Sequence, residues 1–481
     1  MEPSIEEIST FCKKKGFIFP TAEIYGGLQG FYDYGPNGIE LKNNIKQLLW
    51  KDFVKNNPYV VGMEGSLITN PKVWKSSGHV DQFVDILSKC SNCGTSVRVD
   101  TIIEEEFGID VEGKSVEEIN KTLKEKEVNC PKCKNRLNES SLFHLMFETN
   151  IGPEKSEKSK GYLRPETAQL IFADFKTIFA TSRLKLPFGI AQIGKAFRNE
   201  ISPRNFLFRM REFEQFEIEF FTNNGKDCAP YKKIKNLKVN LAKGKSFEKV
   251  KIDDLVKKKV FANEWHAYWV HAFYSWFIKY GAPESRLRLL AHPKEKLAHY
   301  AKACIDIEFK FPFGWKELHG DADRGVFDLT AHQDGSGKSH EIFDEVTSKK
   351  FVPYVAAEPS QGIERAILVF LFSAYCDDKK RGNVVLKLHP AIAPIKVAIL
   401  PLVKKDGVSD KAKEVYDLLK EKVDCFYDES GSIGRRYARQ DELGTPKCIT
   451  VDYESLDDDS VTVRDRDTTK QVRVKICDLS F

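Results

Sequence analysis

The sequence predicts a chain of two or more domains, with an antiparallel hairpin in its middle and an α/β domain at its end. Three observations carry this. Of 481 residues, 41% are apolar, which is enough for more than one core. Near the middle, "FGIAQIGKAFRNE" and "RMREFEQFEIEFF" alternate like pleated strands across "ISPRNFLF", whose Pro203 and Asn205 supply turn chemistry. The last segment alternates strand and helix patterns before two further alternating runs, which predicts a parallel sheet with an antiparallel edge.

Charge is nearly balanced. Lysine plus arginine (75) barely exceeds aspartate plus glutamate (70), so the net charge of +5 permits an anionic partner without demanding one. The opening "MEPSIEEIST" lacks the basic and apolar regions of a signal peptide, and no run of 18 apolar residues follows, so a cytoplasmic protein with no membrane partner is expected. Eleven cysteines are too sparse for a disulfide framework.

In chain order, residues 1–87 hold a Gly/Tyr-rich opening, "YGGLQGFYDYGPNG", and a helical pattern over 39–54. Residues 88–140 turn charged, lose clear periodicity and carry a CxxC pair at each end, the mark of an inserted module. Aromatic-rich sequence returns over 141–225. Residues 226–259 are lysine-rich and polar, and together with a tryptophan-rich helix (Trp265, Trp269, Trp276) they form a second insertion and helical part over 226–310. Residues 311–388 return to apolar sequence, and the linker "KLHPAIAPIK" separates them from the last domain, 389–481. There, "KVAILPL", "SDKAKEVYDLLKEK", "VDCFYDE", "IGRRYARQDEL" and "KCITVD" alternate strand with helix, and "SVTVRDRD" and "KQVRVKI" close the sheet.

The central hairpin poses the functional question. Side chains alternate between faces, so Arg198 and Glu200 share one face of the first run, while Arg209, Arg211, Glu217 and Glu219 share parity on the second. Phe216, Ile218 and Phe220 point the other way. From parity alone the charged face could be solvated. Yet Phe213 and Phe221 lie on it as well, and a cleft that sets guanidinium forks and carboxylates among aromatics suits a nucleotide and an amine.

"FRNEISPRNFLFRMREF" resembles motif 2 of class II aminoacyl-tRNA synthetases, in the form typical of glycyl-tRNA synthetases. "EPSQGIERAILVFL" is similar to their motif 3, "GSLITNPKVWKSSGHVDQF" to motif 1, "RPETAQ" to their substrate loop, and "YGGLQGFYDYGPNG" to their amino-terminal signature. The resemblance implies a catalytic α+β domain with a mostly antiparallel sheet flanked by helices, then an α/β anticodon-binding domain, in a homodimer with motif 1 at the interface. It implies that glycine and ATP give glycyl-adenylate and pyrophosphate, and that glycine then passes to the 3' end of tRNA(Gly).

On that resemblance Arg198 holds the α-phosphate, Arg209 and Arg365 hold the outer phosphates, Glu200 reads the adenine amino group, and Phe213 stacks on the ring. Asn199, Met210 and Leu318 complete the ATP site, and Arg198, Glu200 and Arg365 are the expected catalytic groups. Glu317 matches a residue beside ATP and its Mg2+. Glu166, Glu217, Glu358 and Ser360 match the positions around the glycine ammonium. Arginine suits the phosphates because its planar fork stays charged and binds two oxygens at once. In the last domain, Arg435, Arg436, Tyr437 and Arg439 share one predicted helix, offered as a tRNA-binding surface or else a solvated basic face.

Cys90-x2-Cys93 and Cys130-x2-Cys133 have the knuckle spacing of a structural Zn2+ site with no open position, reduced free thiols being the alternative, and the insertion is placed to contact the acceptor stem. Three features depart from the family pattern: a short ending, "VKICDLSF"; Asp321 where an apolar residue is expected; and His144 where asparagine is expected. Asp321 and His144 are expected to lie away from the phosphate and ammonium groups. Two rivals are another class II synthetase with the same last domain and a tRNA-binding paralogue without catalysis. "RPETAQ" with "EPSQGIER" opposes the first, and the presence of Arg198 and Arg365 opposes the second.

Overall fold

The charged hairpin sits inside a nine-stranded sheet in the computed structural model, which describes residues 2–480 apart from 110, 112–113, 138, 155, 299 and 345–347. The strands are β1 (Val60–Gly62), β2 (Phe188–Phe197), β3 (Glu212–Thr222), β4 (Lys238–Lys243), β5 (Ser246–Lys251), β6 (Leu287–Ala291), β7 (Ala303–Phe311), β8 (Gly314–Asp323) and β9 (Tyr354–Gly362), arranged β5-β4-β6-β7-β8-β9-β3-β2-β1. Neighbours run antiparallel except at β4–β6 and β1–β2.

The helices of this part are α1 (Pro36–Trp50), α2 (Ala168–Ser182), α3 (Glu264–Lys279), α4 (Phe327–Ser336) and α5 (Ile363–Ala374). Pro36 starts α1 where a missing N–H costs nothing, so the helix begins earlier than its apolar periodicity showed. Gly38 is required inside it, because a Cβ there would stand 1.8 Å from the Phe17 carbonyl. The tryptophans of α3 join Phe216, Ile218 and Phe220 of β3 in one core, in which Phe53 stacks on Phe273. Phe221, on the other side of β3, packs with Phe172, Phe175 and Phe188 in a second core. Between the cores the odd face of β3 is buried rather than solvated: Glu217 is 3% exposed and Glu219 fully covered.

The lysine-rich stretch is hydrogen-bonded into this sheet. Its β4–β5 hairpin forms the outer edge, and the lysines on the exposed edge strand discourage pairing with another chain. Residues 90–137 keep a small core of their own, around Val97, Ile103, Ile119 and Leu123. Its helix Val116–Glu125 carries a capping box, Ser115 with Glu118, a start signal that the charged composition hides.

The last domain holds β10 (Val397–Pro401), β11 (Cys425–Tyr427), β12 (Lys447–Val451), β13 (Ser460–Asp465) and β14 (Gln471–Lys475), with helices α6 (Val408–Leu419) and α7 (Ile433–Leu443). The order is β11-β10-β12-β13-β14, with β10 parallel to both neighbours and β13 and β14 antiparallel, as the alternation predicts. Ile476 and Leu479, beyond the last strand, pack against its core. Among the described residues, no helix is long and apolar enough to cross a membrane.

Candidate active site

β2 ends at Phe197 and β3 begins at Glu212, so Arg198, Glu200, Arg209 and Arg211 stand beyond the ladder rather than within it. The pairing persists one step, with the Arg198 N–H donating to the Arg211 carbonyl at 2.9 Å. The connecting loop turns through Asn205 and Phe206, both at positive φ, a conformation asparagine tolerates better than most residues. Arg211 fastens this loop: its Nε donates to the Glu200 carbonyl (3.0 Å) and its Nη1 to the Gln29 carbonyl (2.9 Å). Gly30 permits that approach, because a Cβ there would meet Pro203 at 2.8 Å.

A cleft of about 240 Å³ opens above the loop. Arg198 and Arg209 line it beside Glu200, Met210 and Phe213, and Glu317, Leu318 and Arg365 close it from β8 and α5. The Arg198 guanidinium lies 5.4 Å from the Phe83 and Phe213 ring centroids, and its Nε donates to the Pro165 carbonyl. Arg365 stands in the first turn of α5, where unpaired N–H groups favour anions. Its Nη1 is 2.9 Å from Glu317 Oε1, and its guanidinium lies over Phe208. The Arg365 charge holds the Glu317 carboxyl below its usual range. Asn199 is the exception: its N–H donates to the Leu145 carbonyl, and it does not line the cleft. Phe208 lines it instead, one more aromatic in "NFLF" than the sequence reading used.

A second pocket, of about 280 Å³, adjoins the first and shares Arg198, Gln215, Glu317 and Ser360 with it. Glu166, Glu217 and Glu358 all line this pocket, brought together from three distant segments. The register does it: Glu217 of β3 pairs with Gln192 of β2 and Ser360 of β9. Glu217 Oε1 accepts from the Ser360 hydroxyl (2.7 Å) and Gln215 Nε2 (3.1 Å), while Oε2 accepts from the Thr167 N–H (2.9 Å) and hydroxyl. Burial, and then the Glu166 charge, push the Glu217 carboxyl up.

Burial raises Glu358 to about 8, although Arg324 Nη1 donates to it at 2.6 Å. Glu166 goes the other way. Burial would raise it, but His79 at 3.2 Å and the Arg324 and Arg198 charges outweigh that. His292, Cys304 and Asp306 form another wall, with His292 Nε2 2.7 Å from Asp306 Oδ2.

Asp321 corrects the sequence reading. It is fully buried, lines this pocket and accepts the Glu358 N–H at 3.1 Å, so it touches the acidic cluster that it was expected to avoid. His144 lies exposed at the end of the strand Ser141–His144. Arg324, Gln169 and His79 were also missed. The Arg324/Asp328 spacing of i,i+4 in "DRGVFD" is the one signal that could have flagged the first.

In the last domain the four residues of α7 do not form one surface. Arg436 is 3% exposed and donates to the Pro401, Leu402 and Asp428 carbonyls, so it corrects the expected tRNA face. The Tyr437 ring packs on Ala398, Leu400 and Cys448, and Arg439 pairs with Asp428 at 2.5 Å. Arg435 is exposed. Further along α7, Asp441 bonds Arg464 twice and accepts from Arg381 of the preceding domain at 3.1 Å, so this side of the helix is a domain seam.

Cys90 Sγ lies 3.5 Å from Cys133 Sγ, and Cys93 Sγ 3.7 Å from Cys130 Sγ. The two knuckles match: the N–H groups of Gly94 and Lys134, both at positive φ, donate to the Cys90 and Cys130 carbonyls.

Comparison with known proteins agrees with this geometry. A family model described as the tRNA synthetase class II core domain (G, H, P, S and T) matches residues 147–371, and one described as the anticodon binding domain matches 396–480. The glycine--tRNA ligase of Acetivibrio thermocellus is 46% identical over 100% of this chain and 97% of its own length. That of Caldanaerobacter subterraneus subsp. tengcongensis is 45% identical over 98% and 96%, and that of Clostridium acetobutylicum 46% over 99% and 97%. With both domains matched in order and the relatives aligned end to end, the chain belongs to the glycine--tRNA ligase family of class II aminoacyl-tRNA synthetases.

Proposed function

We propose that the chain activates glycine with ATP and transfers it to tRNA(Gly), and that the two adjoining pockets are the seats of ATP and glycine. The observation that carries this is their shared wall: one pocket is lined by arginines and aromatics, the other by carboxylates, and Arg198 borders both. The glycine carboxylate is the nucleophile and is already ionised, so the protein's work is alignment and charge neutralisation. It attacks the α-phosphorus, the bond to the bridging oxygen breaks, and pyrophosphate leaves. Arg198 meets the charge that grows on the α-phosphate, Arg209 and Arg365 take the outer phosphates, Glu200 binds the adenine amino group, and Phe213 lies against the ring. Glu317, 48% exposed beside Arg365, would hold Mg2+ with phosphate oxygens and so neutralise the departing pyrophosphate.

Glycine selection follows from crowding. A pocket closed above the α-carbon rejects every larger side chain without an editing step. Glu166, Glu217 and Glu358 then surround the ammonium. In ATP–pyrophosphate exchange with each amino acid in turn, glycine alone supports turnover; exchange with threonine, proline or histidine instead would overturn the assignment. The adenylate then loses AMP to attack by the terminal ribose hydroxyl of tRNA, while the last domain takes the anticodon loop through exposed groups such as Arg435.

The four cysteines are read as a Zn2+ site. Sulphurs about 2.3 Å from zinc in a tetrahedron lie about 3.8 Å apart, close to the two separations found. The metal would fold residues 88–140, whose small core is too thin to stand alone. We expect about one zinc per chain by elemental analysis, lost in Cys130→Ser, with tRNA charging falling more than glycine-dependent exchange. A zinc-free protein with the insertion equally protease-resistant would refute this.

A homodimer is supported by the position of β1 at the end of the sheet and by exposed Leu67 and Ile68 in the segment resembling motif 1. A single-chain mass in sedimentation would refute it. A cytoplasmic setting follows from the same reading.

A further inference from the structure

We infer that Arg324 is a positioning residue of the amino-acid pocket, fixing Glu358 directly and, through Asp328 and Gln169, linking it to Glu166. The inference rests on the reading that these carboxylates receive the glycine ammonium.

Arg324 follows β8 and is 1% exposed. Each of its three guanidinium nitrogens donates: Nε to Asp328 Oδ2 at 2.7 Å, Nη2 to Asp328 Oδ1 at 2.6 Å, and Nη1 to Glu358 Oε1 at 2.6 Å. Its flat face lies 3.6 Å from the ring centroid of Tyr300, which also lines the pocket. Asp328 Oδ1 accepts a further bond from Gln169 Nε2 (3.0 Å), and the same amide nitrogen donates to Glu166 Oε1 (3.1 Å). His332 Nε2, 2.9 Å from Gln169 Oε1, fixes the amide orientation, and His79 holds the other oxygen of Glu166.

Asp328 alone would satisfy a buried arginine that served only packing. Here the guanidinium is divided between Asp328 and a carboxylate that lines the pocket, and the Gln169 amide is divided in the same way. Two carboxylates from separate segments, 166 and 358, are therefore held by one chain of buried bonds. Arg324 touches none of the groups around the ATP cleft. Its loss leaves Glu358 and Asp328 without their shared cation, so Glu358 is neither held in place nor readily ionised to meet the ammonium.

The test is the Michaelis constant for glycine and for ATP in pyrophosphate exchange, with the full chain. Arg324→Gln raises the glycine KM roughly 10- to 150-fold, the range of one lost hydrogen bond to a charged group, and moves the ATP KM by less than about 3-fold. Arg324→Lys recovers part of the loss. In Arg324→Gln/Asp328→Asn the orphaned partner is neutralised, so the thermal midpoint recovers while the glycine KM stays high. Recovery of both, or a parallel rise of both KM values in the single variant, would mark a structural role and overturn the inference. If Arg324→Gln does not fold, Gln169→Met breaks only the link to Glu166 and raises the glycine KM about tenfold; an unchanged value overturns the inference equally. Glu217→Gln is the control. If it too leaves the glycine KM unchanged, the pocket assignment itself fails, whereas loss in Glu217→Gln beside wild-type behaviour of Arg324→Gln rejects only the role of Arg324.

Discussion

Glycine-dependent ATP–pyrophosphate exchange in Glu217→Gln falls by about 10²- to 10³-fold, with the thermal midpoint little changed. The carboxylate has two oxygens, and each meets two donors: Ser360 and Gln215 at Oε1, Thr167 twice at Oε2. Whichever way a glutamine amide turns, its NH2 group meets one N–H donor, from Gln215 at the Oε1 side or Thr167 at the Oε2 side, and the pocket loses a charge that an incoming ammonium would have met. The fold survives because the even face of β3, with Phe216, Ile218 and Phe220, is untouched. Exchange within about twofold of the wild type would show that Glu217 braces the strands and nothing more.

A neighbouring carboxyl, Glu358, gives a pH dependence whose sign is fixed. Burial and the Glu166 charge push Glu217 up, and burial raises Glu358 to about 8, so Glu358 tends to hold a proton in the empty pocket. An ammonium favours the ionised form, and glycine must displace the Glu358 proton below about pH 8. The glycine KM in the wild type therefore falls as pH rises from 6 towards 8. Calorimetry at pH 7 shows protons released on binding. A flat profile would mean that Glu358 is already ionised.

The site is legible in the sequence where its residues follow local patterns, and illegible where its geometry depends on distant segments. Alternation around "ISPRNFLF" located the hairpin because a two-residue period is written in the chain itself. It could not say whether the charged face was wet, since Glu217 is buried by β9 and by the 165–167 loop, which lie far away in sequence. The family motifs named Arg198, Arg365 and Glu358, yet not Arg324, because a buried arginine between two acids looks in sequence like any exposed i,i+4 pair. Arg436 erred in the opposite direction. Its neighbours in "IGRRYARQ" make a basic helix, and only packing against β10 reveals that this arginine points inward to carbonyls. Asp321 was misplaced for the same reason: its role is set by the amide of Glu358 on the neighbouring strand.

Arg198→Lys tests the junction between the two pockets, and a kcat loss on the order of 10²- to 10³-fold is expected, with smaller changes in the KM of glycine and of ATP. The guanidinium lies close to the Phe83 and Phe213 rings, and its Nε is already committed to the Pro165 carbonyl. Its two terminal nitrogens are thereby set as a rigid fork at the wall common to both pockets. An ammonium in that place keeps the charge but has neither the planarity to lie between the rings nor the donor for Pro165, so it is not held against the α-phosphate as charge develops there. The loss is therefore one of alignment in the transition state, and it should appear in single-turnover formation of the adenylate rather than in ligand binding. If the lysine variant forms adenylate at the wild-type rate, the Arg198 fork is a packing element between two rings, and the phosphate charge must be met by Arg209 and Arg365 alone.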